Sequence, residues 1–195
     1  MKEIEEVNKI KAVVEYILQR MGTAVDYIHL FKVMYFTQEE HLAIYGVPMM
    51  YDTFVARKHG PVPTLTYKVL RVAEGKAVDV TGELQAFASN LSLSLNEGHQ
   101  VVALADGVQC DMDELSRSNI RILDKWVEHC RNIDSFDLSE LSHDKAWQKA
   151  VRQTERTGED TKISLYDMAA SGGASKDMLG VVKERQMNRR ALSWT

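Results

Sequence analysis

The sequence predicts an α+β domain, mainly α, in which helices surround a central hydrophobic helix and a small antiparallel β-sheet or hairpin packs with them. Three observations predict it. Eight of the ten residues from Tyr27 to Phe36 are apolar or aromatic, with His29 and Lys32 the exceptions, and a helix apolar almost all round belongs inside a core. All three prolines fall between Pro48 and Pro63, so the segment after that helix is bent in a fixed way. Leu91, Leu93 and Leu95 alternate with Ser92 and Ser94, the period of a half-buried strand.

The elements follow in order. Ile4, Val7, Ile10, Val14, Ile17, Leu18 and Met21 recur at spacings of three and four, and Gly22 stands where a left-handed cap would end that helix. Asp26 is placed to cap the central helix, which runs to Tyr45 before Gly46 stops it and Pro48 follows. Met49 to Lys58, with Tyr51, Phe54, Val55 and Ala56, is compatible with a strand. His59-Gly60-Pro61-Val62-Pro63 excludes helix, because each proline removes a donor and pushes its predecessor toward extended geometry. A helix begins at Pro63 or Thr64, turns Leu65, Val69, Leu70 and Val72 inward, and ends at Gly75.

Glu83 to Ser89 fits helix or strand. Leu91 to Leu95 and Gln100 to Ala105 are strand candidates, and Asp106-Gly107 reads as a hairpin turn into Val108 to Cys110. Ser116 or Ser118 opens a helix with Ile120, Leu123, Trp126, Val127 and Cys130 inward. Asp137 or Ser139 caps a further helix that continues through Leu141 and Trp147 to about Thr154. Residues 156–162 read as a loop and 163–170 are ambiguous. Residues 171–175, with Gly172 and Gly173, read as a flexible joint before a basic helix from Lys176 to Arg190. This divides the chain into a domain over residues 1–170 and a glycine-hinged basic helix over 171–195.

At 195 residues the chain is large enough to bury a core without metal or disulfide staples. The net charge of -4 hides an asymmetry. Residues 176–195 hold five cations against two anions, so taking this +3 from the total leaves -7 on the body. The tail's one aromatic is Trp194, a weak signal for nucleic acid, whereas Met178, Leu179, Val182 and Met187 suggest that one side of the helix packs on this protein's body or another subunit. Two cysteines, Cys110 and Cys130, make no disulfide framework. With no signal-peptide pattern and no apolar run near the roughly 18 residues of a membrane span, a reducing, bacterial-type cytoplasm is the expected setting.

No catalytic constellation emerges. His29, His41, His59, His99, His129 and His143 lack HExxH spacing, and Glu40 and His41 point about 100° apart on a helix, so no metal site is expected. Neither a G-x-S-x-G elbow nor a phosphate loop is present, and no cofactor is expected. Lys32, among apolar neighbours, is expected to reach the surface or to meet a carboxylate.

The order Lys32-Val33-Met34-Tyr35-Phe36, Glu40-His41-Leu42, Tyr45-Gly46-Val47-Pro48, Tyr51-Asp52 and Lys58-His59-Gly60-Pro61-Val62, followed by Tyr67, resembles the Panacea domain of SocA-like antitoxins, many of them labelled phage-associated. Leu138-Ser139-Glu140-Leu141-Ser142-His143-Asp144 with Trp147 is similar to the family's second segment, and the resemblance covers most of residues 5 to 155. It implies a cytoplasmic, mainly helical domain that works by binding a protein, with no catalytic residues to carry over. The implied role is an antitoxin that neutralises a cognate protein toxin by direct contact, or an adaptor that presents the toxin to an AAA+ protease. Lys32, Tyr35, His41, Gly46, Pro48, Asp52, Gly60, Pro61, His143 and Trp147 are the motif residues expected to build the scaffold. Arg57, Lys58, His59 and Tyr67 are those expected to face the partner.

Overall fold

The computed structural model of the chain describes residues 2–77 and 80–192, and Trp194 lies outside the described residues. The fold is α+β and mainly helical, with two small antiparallel sheets. Helix α1 (Lys2–Met21) buries Ile10, Val14, Ile17 and Leu18 against α2 (Tyr27–Tyr45). Every residue of α2 from His29 to Glu39 is buried. Asp26 caps its start by accepting the His29 N–H at 2.9 Å, and Gly46 closes its end at φ 64°. The sequence expectation for this element holds at both ends.

Strands β2 (Phe54–Arg57) and β3 (Gly60–Pro63) form a hairpin whose two-residue turn is Lys58-His59. Lys58 and His59 are not at positive φ; the glycine-favouring conformation falls on the residue that follows them, Gly60, at φ 95°. Helix α3 (Thr64–Ala73) starts without a local side-chain cap. Its first donors are met from a distance, because the buried Asp52 carboxylate accepts Leu65 N at 2.8 Å, Thr66 N at 2.9 Å and the Thr66 hydroxyl at 2.7 Å.

Helix α4 (Gly82–Ser89) resolves the stretch that periodicity leaves open, since Leu84, Phe87 and Ala88 form one buried stripe. The second sheet differs from expectation. Its hairpin joins β4 (Leu91–Asn96) to β5 (His99–Leu104) at Glu97-Gly98, both at positive φ (49° and 83°), the type I′ geometry that suits twisted strands. Asp106-Gly107 leads into no third strand; Cys110 lies in the connection to α5, where its N–H donates to Gln19 Oε1 at 3.0 Å. The third strand is β1 (Val25–Asp26), which pairs with the free edge of β5 and is too short for alternation to reveal.

Helix α5 (Arg117–Cys130) opens with a capping box of Ser116 and Asn119. The helix expected to run unbroken through Trp147 is two helices, α6 (Ser135–Leu141) and α7 (Lys145–Thr157). Asp134 and Asp144, rather than Asp137 or Ser139, are the caps, because each carboxylate accepts a backbone N–H of the following turn, from Phe136 at 2.8 Å and Trp147 at 2.9 Å. The polar stretch after α7 is more than a loop: Ala56 N donates to Thr161 O at 3.0 Å and Ile163 N to Phe54 O at 2.8 Å, which covers the outer edge of β2.

Helix α8 (Leu165–Ser171) packs on α2, and α9 (Lys176–Leu192) follows it. The glycine joint, read as flexible from its composition, is tightly packed at Gly172, where a Cβ would lie 2.5 Å from the Glu39 carbonyl oxygen. Helix α9 lies against this protein's own body. Val182 is buried, Arg185 donates to the Tyr45 carbonyl at 3.2 Å, and Arg189 meets Glu6 at 2.6 Å while lying 3.3 Å over the Tyr51 ring.

Candidate functional site

The polar groups of α2 explain why a helix so buried carries them: most hold the chain that wraps around it. Gln38 acts as a surrogate strand, accepting Met49 N and donating to Met50 O, both at 2.8 Å. His41 Nδ1 lies 2.8 Å from the Val47 carbonyl and so donates to it, which leaves Nε2 to accept from Asn119 Nδ2 at 3.1 Å. Burial and the nearby Lys9 charge lower its pKa despite the Val47 bond, so this imidazole is neutral and fixes the Gly46-Val47-Pro48 turn. At Gly46 itself a Cβ would meet Met178 Sδ of α9 at 2.7 Å, a close approach that glycine permits.

Lys32 departs from expectation. It is 1% exposed and neither reaches solvent nor meets a carboxylate; its Nζ donates to the Pro61 carbonyl at 3.0 Å. Desolvation lowers its pKa to about 7, which the more distant Asp26 charge offsets only in part. The ammonium passes directly beneath the hairpin, where a Cβ on Gly60 would be 2.6 Å from Nζ and 2.3 Å from Ser142 Oγ. From the other side, Ser139 Oγ donates to the His59 carbonyl at 3.0 Å, and Trp147 Nε1 to the Arg57 carbonyl at 3.0 Å. The two sequence motifs thus meet as a clamp: α2 and the α6–α7 junction hold the backbone of the β2–β3 hairpin.

The clamp projects side chains outward. Arg57, Lys58 and His59 are exposed at the hairpin tip. The Arg57 guanidinium pairs with Asp160 at 2.8 Å and lies 5.2 Å over the Tyr67 ring, so the four residues expected to face a partner lie in and beside one hairpin. Next to it runs a groove of about 740 Å³, floored by Phe31, Val62 and Val151 and rimmed by Arg57, His59 and Trp147. His143 stacks on Trp147 at 3.7 Å with the rings 15° apart, and burial, with the Lys32 and His59 charges, lowers its pKa against the pull of Glu140.

Sequence reasoning missed Asp160 and the approach of the buried Glu39 to the half-buried Asp144. Tyr35 OH donates to Asp144 Oδ2 at 2.9 Å, and Glu39 lies beside them with its pKa raised to about 10 by burial and by the Asp144 charge. Glu39 sits in the polar run from Thr37 to His41 that follows the apolar part of α2, and nothing in that run marked it as buried; Asp160, in another polar run, carried no signal. His41 sits apart from the hairpin, bonded to Val47 and Asn119, and among the described residues no group of three or more His, Cys, Asp or Glu converges as metal ligands.

The family described as Antitoxin SocA-like, Panacea domain, matches residues 30–148. The match starts inside α2 and ends in α7, so it contains the whole clamp and is narrower than the span of residues 5 to 155 that the motifs suggest. No curated protein and no solved structure matches the chain. Among the described residues no helix is long and apolar enough to cross a membrane.

Proposed function

The chain belongs to the family of SocA-like antitoxins with a Panacea domain, and from that premise we propose that it is an antitoxin that neutralises a cognate protein toxin by direct binding, without catalysis, in the cytoplasm. The observation that carries this reading is the clamped hairpin. Two sequence motifs spend their buried polar groups on fixing a backbone whose exposed product is Arg57, Lys58 and His59 beside an apolar groove. A rigid, preorganised surface loses little entropy on association, which is what a binding module needs. The negative body would steer a basic toxin toward the molecule, and the hairpin would then dock it.

The adaptor reading, in which the basic tail contacts an AAA+ protease, draws less support. Arg185 and Arg189 of that tail are engaged with Tyr45, Glu6 and Tyr51 of the body. Co-expression with the adjacently encoded gene is the test. Growth arrest by that gene alone, relieved by this protein in a strain lacking the candidate protease, supports direct neutralisation. An adjacent gene that is harmless, or toxic and not relieved, overturns the antitoxin reading.

A further inference from the structure

A second groove lies on the other side of the α6–α7 junction, between α2, α5 and the start of the glycine joint. It encloses about 590 Å³ and is lined by Phe36, Trp126, Ile44, Leu141, Glu39 and Asp144. One wall is aromatic, because Phe36 and Trp126 stack at 4.9 Å. Ile44 and Leu141 are 42% and 57% exposed, large apolar side chains left at its border.

Its floor is acidic and incompletely paired. Glu39 is only 7% exposed; Tyr35 and Asp144 lie against its carboxyl group, yet its Oε1 has no hydrogen-bond partner among the described residues. A buried carboxyl oxygen without a donor is an unfilled requirement. Glu40 also lines the groove, and its carboxylate receives Lys125 Nζ at 2.6 Å while that ammonium stands 5.3 Å from the Trp126 ring. The groove therefore already holds one cation between a carboxylate and an aromatic face. Glu40 also accepts from Trp126 Nε1 at 2.7 Å, and Asp144 accepts from Tyr35 OH and Trp147 N, both at 2.9 Å. With Glu39 protonated, these two carboxylates stand against one lysine, which leaves room for a second cation.

We propose that this groove is a receptor for an arginine side chain of a protein partner, with the guanidinium donating to Glu39 and Asp144 and its methylenes resting on Ile44 and Leu141. A planar guanidinium can serve two carboxylates at once, and its aliphatic stem suits an apolar border. The proposal rests on the antitoxin reading only for which partner carries the arginine. In the free protein burial and Asp144 keep Glu39 protonated, so an entering cation displaces that proton and binding strengthens as pH rises. The groups that face Glu39 and enter this linkage are Tyr35, Asp144, Glu40, Lys125 and His129.

The test titrates the full chain with N-acetyl-L-arginine amide at constant ionic strength and follows the Ile44 methyl resonance at pH 7 and pH 9. The expected result is a saturable shift, about a hundredfold tighter at pH 9, about tenfold for each pH unit over which one proton is released. Glu39→Gln, which keeps the shape and neutrality of the protonated acid, is expected to weaken binding at pH 9 by about a hundredfold and to abolish the pH dependence. Leu141→Arg, at an exposed position, places a competing cation at the border and is expected to block the shift. Absence of a saturable shift in the wild type, or unchanged binding and pH dependence in Glu39→Gln, or unchanged binding in Leu141→Arg, overturns the proposal. Toxin rescue is scored separately, so failed rescue with intact arginine binding would sink the antitoxin reading and leave the groove standing.

Discussion

Lys32 Nζ and the Pro61 carbonyl, 3.0 Å apart, mark where the core helix takes hold of the hairpin that carries Arg57, Lys58 and His59. A buried lysine bonded to a backbone carbonyl has an exacting environment, and its neighbours are correspondingly hard to change.

Gly60→Ala should be costly for two reasons that add. The residue sits at φ 95°, and its Cβ would be 2.3 Å from Ser142 Oγ and 2.6 Å from Lys32 Nζ. A loss of about 2–4 kcal/mol in urea-induced unfolding is expected. A loss below about 0.5 kcal/mol would mean that the hairpin is not held against Lys32.

Stability should depend on pH through two buried groups acting in opposite senses. Glu39 keeps in the fold a proton that the unfolded chain releases above its ordinary value of 4.5, so stability falls as pH rises from 5 to 7, by up to about 1.4 kcal/mol per pH unit. Lys32 loses its proton in the fold near pH 7 and in the unfolded chain near 10.5, so its contribution rises across that interval. Unfolding curves of Glu39→Gln should lack the first slope, and those of Lys32→Met the second. A wild type and Glu39→Gln pair that stay parallel from pH 5 to 7 would show Glu39 ionised in the fold.

Asp52→Ala should remove the distant cap of α3 and leave Leu65 N and the Thr66 groups without their acceptor. The expected cost is about 2 kcal/mol in thermal or chemical unfolding. Asp52→Asn, which retains an acceptor oxygen, should recover part of it.

Gly172→Ala tests whether the joint before α9 is packed. Its φ of -70° suits any residue, so the cost is steric and comes from a Cβ 2.5 Å from the Glu39 carbonyl oxygen. A destabilisation of about 1–3 kcal/mol is expected, whereas a neutral effect would mark the joint as loose.

Much of this arrangement was legible in the chain because it is written in short-range chemistry. Asp26, Gly46 and the unbroken apolar run placed α2, and the proline spacing placed the bend after it. What escaped was set at long range. The Asp52 cap acts across more than ten residues of chain, β1 is two residues long, and the break at Ser142 to Asp144 lies inside a run whose composition is helical throughout. At the hairpin, Arg57, Lys58 and His59 were readable as exposed because a turn between prolines has few places to put them. That their backbone is clamped by Lys32, Ser139 and Trp147 was not, since the motifs lie about 80 residues apart or more from hairpin to α7 and only folding brings them together.

The most direct test of the hairpin as the docking surface is the affinity of the purified toxin for wild type and for a double variant, Arg57→Glu with Lys58→Glu, measured by calorimetry at fixed salt. Both positions are exposed, so folding should be close to unchanged, with allowance for the lost Asp160 pair. The predicted result is a loss of about a hundredfold in affinity or more, with failure to rescue growth. Binding and rescue equal to wild type would contradict it.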